Sequence, residues 1–286
     1  MDYSMHLMDR YKAILTANFL IFLLTICTAN ADNSNDSPVI LQLSWFHQFE
    51  FAGYYAALEK GYYQKEGIKN VIINPGGPAL DEAQLVAAGQ AQYGVLSSEL
   101  LVKWINGLPI IVLAVIMQHS KRALIVRSDS PILAPSDLIG RTIMLNLNEH
   151  EEFLAMFIRE GVVPKKITII HKDKTASSKL IDGTIVAMNG SIGNQPYSLK
   201  MKGVSTRNIL PINYGIDFYG DSLFTSESEM KENPERVAGF RRATVRGWEY
   251  AMKHPEEIIN LILEKYNKKK TSDQLRFEAE QHQIHY

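Results

Sequence analysis

Two clusters of aromatic and polar residues carry the chemistry available to this sequence. The stretch LSWFHQFEFAGYYAALEKGYYQKEG (43–67) gathers Trp45, Gln48, Phe49 and Tyr54 within ten positions. Trp45 and Phe49 have flat faces that can stack on a planar ligand, worth roughly 1–3 kcal/mol per heterocycle. Trp45 can also end a strand and plug a core. Phe51, Tyr55, Leu58 and Tyr62 recur at helical spacing and read as core. Tyr54 lies off that stripe and is free to face a ligand. The second cluster is scattered along the chain. Ser97 and Ser98 precede a helix, where one of them serves as a cap and the helix start offers N–H groups to an anion or carbonyl. Gln118 and His119 follow an apolar run. Asp217 and Asp221 supply carboxylates suited to charge-assisted hydrogen bonds with a ligand amine.

Other chemistries lack their residues. His47, His119, His150 and His171 have no helix-spaced ligand partner, so no metal site is expected. Cys27 is the only cysteine. There is no G-x-S-x-G elbow and no GxxxxGK[ST] loop. The expectation is a binding protein without catalytic residues or cofactor.

Strands and helices must alternate to position these groups. Apolar runs at 39–45, 70–74, 93–96 and 110–118 read as strands, the last covered on both faces. Helices fall between them; one opens at Asp81 and another runs through Trp104. The theme returns with strands at 141–147, 167–171, 184–189 and 208–212. Residue types predict an early helix stopped by Gly161 and another capped by Asn194 that includes Tyr197. This alternation predicts an α/β protein with parallel sheets in two lobes, 38–122 and 123–215, and a return over 216–286. The segment 123–130 leads from the first lobe to the second, and 212–221 leads back. The end is helical, except that HQIHY carries no fold signal. Ligands of such sheets bind beyond the carboxyl ends of the strands, here at 45–49, 74–78, 97–98, 118–119, 146–149 and 189–194.

The chain has 286 residues and a net charge of −1, which gives no reason to expect a nucleic-acid partner. Its first 31 residues differ from the rest. Arg10 and Lys12 precede an apolar run from Ala13 to Cys27, followed by Ala29-Asn30-Ala31. That pattern predicts a secretory signal peptide at 1–31 and a periplasmic, monomeric product; an uncleaved membrane anchor is the alternative. Cleavage would remove the one thiol.

Four stretches, read together, resemble a known family. LSWFHQFEFAGYYAALEKGYYQKEGI, GVLSSELL, IMQHS and YGIDFYGDSLFTS followed by NPERV are similar to bacterial solute-binding proteins of the alkanesulfonate, nitrate and thiamine-pyrimidine-precursor group. The resemblance runs from about 39 to 280. It implies a type 2 periplasmic-binding-protein fold, two α/β lobes around a ligand cleft. It nominates Trp45, Gln48, Phe49, Tyr54, Ser97, Ser98, Gln118, His119, Asn194, Tyr197, Asp217, Tyr219 and Asp221 as cleft residues. It also implies an ABC transporter permease as partner or, alternatively, a membrane sensor. The same branch includes a pyrimidine synthase that uses a histidine, pyridoxal phosphate and clustered cysteines. Phe51 stands where that histidine belongs and 215–219 where the cysteines belong, which argues against the enzyme. Gln195 replaces an acidic residue expected before Pro196. Family members often continue past the point matching 280, which implies a shortened version here.

Overall fold

The structure, a computed structural model, describes residues 37–78, 80–146 and 150–285. The proposed signal peptide lies outside the described residues, as do 147–149 of one expected strand end.

Residues 39–286 form one compact unit built on two five-stranded sheets. The first sheet contains β1 (Val39–Gln42), β2 (Val71–Asn74), β3 (Tyr93–Leu96), β4 (Ile110–Val115) and β10 (Ser222–Ser226), in the order β2-β1-β3-β10-β4. The second contains β5 (Arg122–Arg127), β6 (Thr142–Leu145), β7 (Thr168–His171), β8 (Ala187–Ser191) and β9 (Thr206–Ile209), in the order β7-β6-β8-β5-β9. The chain crosses between sheets twice, after β4 and after β9. Each sheet has one strand running against its neighbours, and in both cases it is the strand just after a crossover: β5 against β8 and β9, β10 against β3 and β4. The sheets are therefore mixed and not wholly parallel as periodicity suggested. β5 was expected as a connector. It is instead a fully paired strand, because LeuIleVal at 124–126 is buried on both faces. β4 was expected to be covered on both faces. It is an edge strand, and Val112 is half exposed.

Helices fill the sheet faces. Those of the first lobe are α1 (Ala52–Glu59), α2 (Tyr62–Lys65), α3 (Glu82–Ala87) and α4 (Glu99–Ile105). The second lobe has α5 (Glu151–Arg159), α6 (Ala176–Asp182) and α7 (Gln195–Lys200). After β10 come α8 (Glu227–Glu232), α9 (Pro234–Lys253), α10 (Pro255–Leu261) and α11 (Ser272–His285). Asp81 caps α3 by accepting the Gln84 N–H, as its position predicts. The tail, which carries no fold signal in sequence, continues α11 as far as His285.

The first core answers why the 43–67 stretch holds so many rings. Tyr63, Phe240 and Tyr93 form a stack, with centroids 4.4 and 3.7 Å apart. Tyr55 stacks on Tyr266 at 4.2 Å. The long α9 lies against α1 at very short range. A Cβ on Gly53 would meet Trp248 Cγ at 2.1 Å, and one on Gly247 would meet the Gly53 carbonyl oxygen at 2.1 Å. Two glycines at one crossing let Trp248 lie flat on a helix backbone.

Candidate functional site

The carboxyl ends of β1 and β3, the crossover after β4 and the first turn of α5 converge on one polar interface. Its centre is Lys121, in the crossover and only 8% exposed. Its ammonium pairs with Glu50 and lies 2.8 Å from Asp221 Oδ2. The Ser97 hydroxyl donates to Asp221 Oδ1 at 2.8 Å, and the Gln48 amide donates to Glu50. Burial pushes the Asp221 carboxyl up, but the Lys121 charge and the Ser97 hydroxyl outweigh it and hold it below the usual range.

A second group ties the two lobes directly. Glu99, at the start of α4, pairs with Arg122, the first residue of β5. Arg122 also lies 3.9 Å from Glu152, in the first turn of α5. The Ser120 hydroxyl donates to Glu152 Oε1 at 2.9 Å. Burial raises the Glu152 carboxyl above its ordinary value; Arg122 and Ser120 pull it down and Glu99 adds to the rise. Both carboxylates sit at helix N-termini, where the peptide dipoles favour negative charge. Glu99 Oε2 and Glu152 Oε2 are buried with no hydrogen-bond donor among the described residues.

The nominated residues divide. Gln48, Ser97 and Asp221 belong to the interface. Trp45 is half-buried at the carboxyl end of β1, with its ring 5.4 Å from that of Phe46. Asn194 and Tyr197 are half-buried at the start of α7. His119 Nδ1 lies 2.9 Å from Asp217 Oδ1 in an exposed pair. Gln118 is exposed and donates to the Val115 carbonyl, and Tyr219 is exposed. Two aromatic expectations are corrected. The Phe49 ring, expected on the cleft wall, has no exposure because its 3-10 turn points it into the first core. Tyr54 is equally buried, edge-on to Trp248 at 5.8 Å. Neither Ser97 nor Ser98 caps α4 with its side chain; Ser97 serves Asp221 instead. Glu50, Glu99, Lys121, Arg122 and Glu152 were missed. The signal was present in charges set against apolar runs: Glu50 between two phenylalanines, and Lys121-Arg122 just before β5.

Two surface cavities lie away from this interface. One of about 270 Å³ is bounded by Ala56, Lys60 and Glu257, and one of about 370 Å³ by Leu101, Trp104 and Val112.

A family model described as NMT1/THI5 like matches residues 48–258. The chain belongs to the NMT1/THI5-like family. This NMT1/THI5-like chain is 24% identical to the formylaminopyrimidine-binding protein of Halalkalibacterium halodurans, over 90% of this chain and 79% of that one. It is 27% identical to the riboflavin-binding protein RibY of Chloroflexus aurantiacus, over 88% and 77%. It is 24% identical to the 4-amino-5-hydroxymethyl-2-methylpyrimidine phosphate synthase of Legionella pneumophila, over 81% and 75%. Among solved structures, the periplasmic aliphatic sulphonate binding protein SsuA from Escherichia coli superposes with a TM-score of 0.69 at 12% identity, covering 86% of this chain and 79% of that one. The fold is thus that of a periplasmic binding protein, with the polar interface between its two α/β lobes.

Proposed function

We propose that this NMT1/THI5-like protein is an exported solute-binding protein. It captures a small, flat, amine-bearing heterocycle of the thiamine-pyrimidine-precursor class and delivers it to an ABC-type importer. The observation that carries the reading is the pair Glu99 Oε2 and Glu152 Oε2. They are buried acceptors, one from each lobe, without donors among the described residues. An unpaired buried acceptor costs roughly 1–3 kcal/mol, which a ligand N–H recovers on binding. The ion pairs of the interface set Glu50 and Asp221 against Lys121, and Glu99 and Glu152 against Arg122, four carboxylates to two cations. That surplus of acceptors suits an aminopyrimidine and opposes a sulfonate or nitrate. Relatives named for formylaminopyrimidine and riboflavin support a heterocycle. Export rests on the apolar run at 13–27.

The enzyme reading has less support. Phe51, which the resemblance sets at the position of the synthase histidine, is sealed in the first core and offers no nucleophile or base.

The test is a thermal-shift screen of the mature protein against formylaminopyrimidine, related aminopyrimidines, riboflavin, alkanesulfonates and nitrate. A ligand at one hundred times its dissociation constant stabilises the fold by about 2.7 kcal/mol, a shift of several degrees at this size. The expected result is a shift with aminopyrimidines that is lost in Glu99→Gln. A shift with the anions alone, or with no compound, overturns the proposal.

A further inference from the structure

The helix α11 lies beyond the region matched by the family, yet it touches both lobes. Its grip on the first lobe is deep. Leu275 and Ala279 are members of the first core. Glu278 is 2% exposed, accepts the Phe49 N–H at 3.0 Å and pairs with Lys270. Lys270 in turn donates to Gln48 Oε1 at 3.2 Å. This fixes the helix to the 48–51 turn at the edge of the polar interface.

It also meets the second lobe. The Phe277 ring lies 5.5 Å from that of Tyr197 on α7. At Gly193, in the loop before α7, a Cβ would stand 3.8 Å from His282 Nε2 and 3.9 Å from Gln281 Cβ. His282 is buried. One helix is thus rooted in the first lobe by apolar core and a buried carboxylate, and also meets the second lobe.

We propose that α11 is a strap that holds the lobes together, and that its release from the 193–197 segment is the step that opens the interface to a ligand. The importance of this step for ligand entry rests on the solute-binding reading above; the strap itself does not. In that step the face carrying Phe277 and Gln281 leaves the second lobe, while Leu275, Glu278 and Ala279, held by core packing and the Phe49 N–H, stay on the first.

The geometry supplies a direct test. A Cβ–Cβ separation of 3.9 Å lies within the range that a disulfide spans, and Gly193 is outside the left-handed backbone region, so a cysteine is tolerated there. The full chain with Gly193→Cys and Gln281→Cys, in a Cys27→Ser background, can be compared oxidised and reduced without altering anything else. Without ligand, oxidation is expected to slow deuterium exchange at least tenfold over residues 116–121 and 191–195, with recovery on adding reductant. With formylaminopyrimidine as probe, the association rate should fall at least tenfold in the oxidised form. Phe277→Ala, which removes the ring contact with Tyr197, should raise exchange in the same segments. Equal exchange in the oxidised and reduced forms overturns the strap. Slowed exchange with probe binding to neither form leaves the strap standing and removes the solute-binding reading.

Discussion

Replacing Lys121 by methionine removes the ammonium that pairs with both Glu50 and Asp221. The two carboxylates retain side-chain exposures of only 7% and 3%, so water cannot take the place of the ammonium. Removing one partner of a buried ion pair costs roughly 3–5 kcal/mol, because it leaves an uncompensated charge in a poorly solvating site. For a domain of this size each kcal/mol moves the melting temperature by about 2–4 °C, so the expected loss is roughly 6–20 °C. The pH dependence gives a second reading. In the parent protein the Asp221 carboxyl sits below its ordinary 3.8, so its contribution is present above that value and is lost as pH falls through the lower folded value. In Lys121→Met the burial, the largest influence, remains while the main opposing charge is gone, and the direction is expected to reverse. The variant then gains stability as its carboxyls take up protons. Urea unfolding of both proteins at pH 7 and pH 5 should show a gap that narrows on acidification. A gap under 1 kcal/mol at pH 7, or one that widens at pH 5, refutes the reasoning.

Other outcomes follow from the same contacts. Ser97→Ala deprives buried Asp221 of a donor and should cost roughly 1.5–3 kcal/mol in chemical unfolding, the range for hydrogen bonds to charged groups. Gly53→Ala would force a methyl into the Trp248 ring and should cost about 1–3 kcal/mol or more, with altered near-ultraviolet circular dichroism from the displaced indole. The Glu152 carboxyl is raised, so its contribution is present below the ordinary value of 4.5 and is lost as pH rises through the folded value; Glu152→Gln should flatten that part of the stability curve. Trp45→Ala should weaken heterocycle binding by about 1–3 kcal/mol, roughly 5- to 150-fold, by titration calorimetry; an unchanged affinity removes Trp45 from the site.

Much of the fold was legible because hydrophobic spacing is a local signal. Val39, Leu41 and Leu43 alternate as a strand must, and Asp81 stands where a helix start needs an acceptor. What escaped depends on partners far along the chain. β10 is central to the first sheet, yet SLFTS has no stronger pattern than a loop. Its burial comes from β3 and β4, more than a hundred residues earlier. Phe49 and Trp45 look alike in sequence, but the 3-10 turn after Gln48 buries the Phe49 ring fully while Trp45 packs half-buried against the same core. The interface charges were hidden for a related reason. Arg122 looks like a strand end until Glu99 and Glu152, from different lobes, are brought to it. Ser97 and Asp221, both read at strand ends, do meet in the polar interface, where the hydroxyl donates to the carboxylate.

The placement of β10 carries a consequence for how the molecule assembles. Its neighbours β3 and β4 do not pair with each other, so the first sheet stays in two pieces until residues 222–226 arrive between them. The strands of the second sheet, by contrast, are contiguous from 122 to 209 and need nothing made later. A chain emerging from the ribosome can therefore complete its middle before its beginning, and the earliest strands wait longest for their last partner.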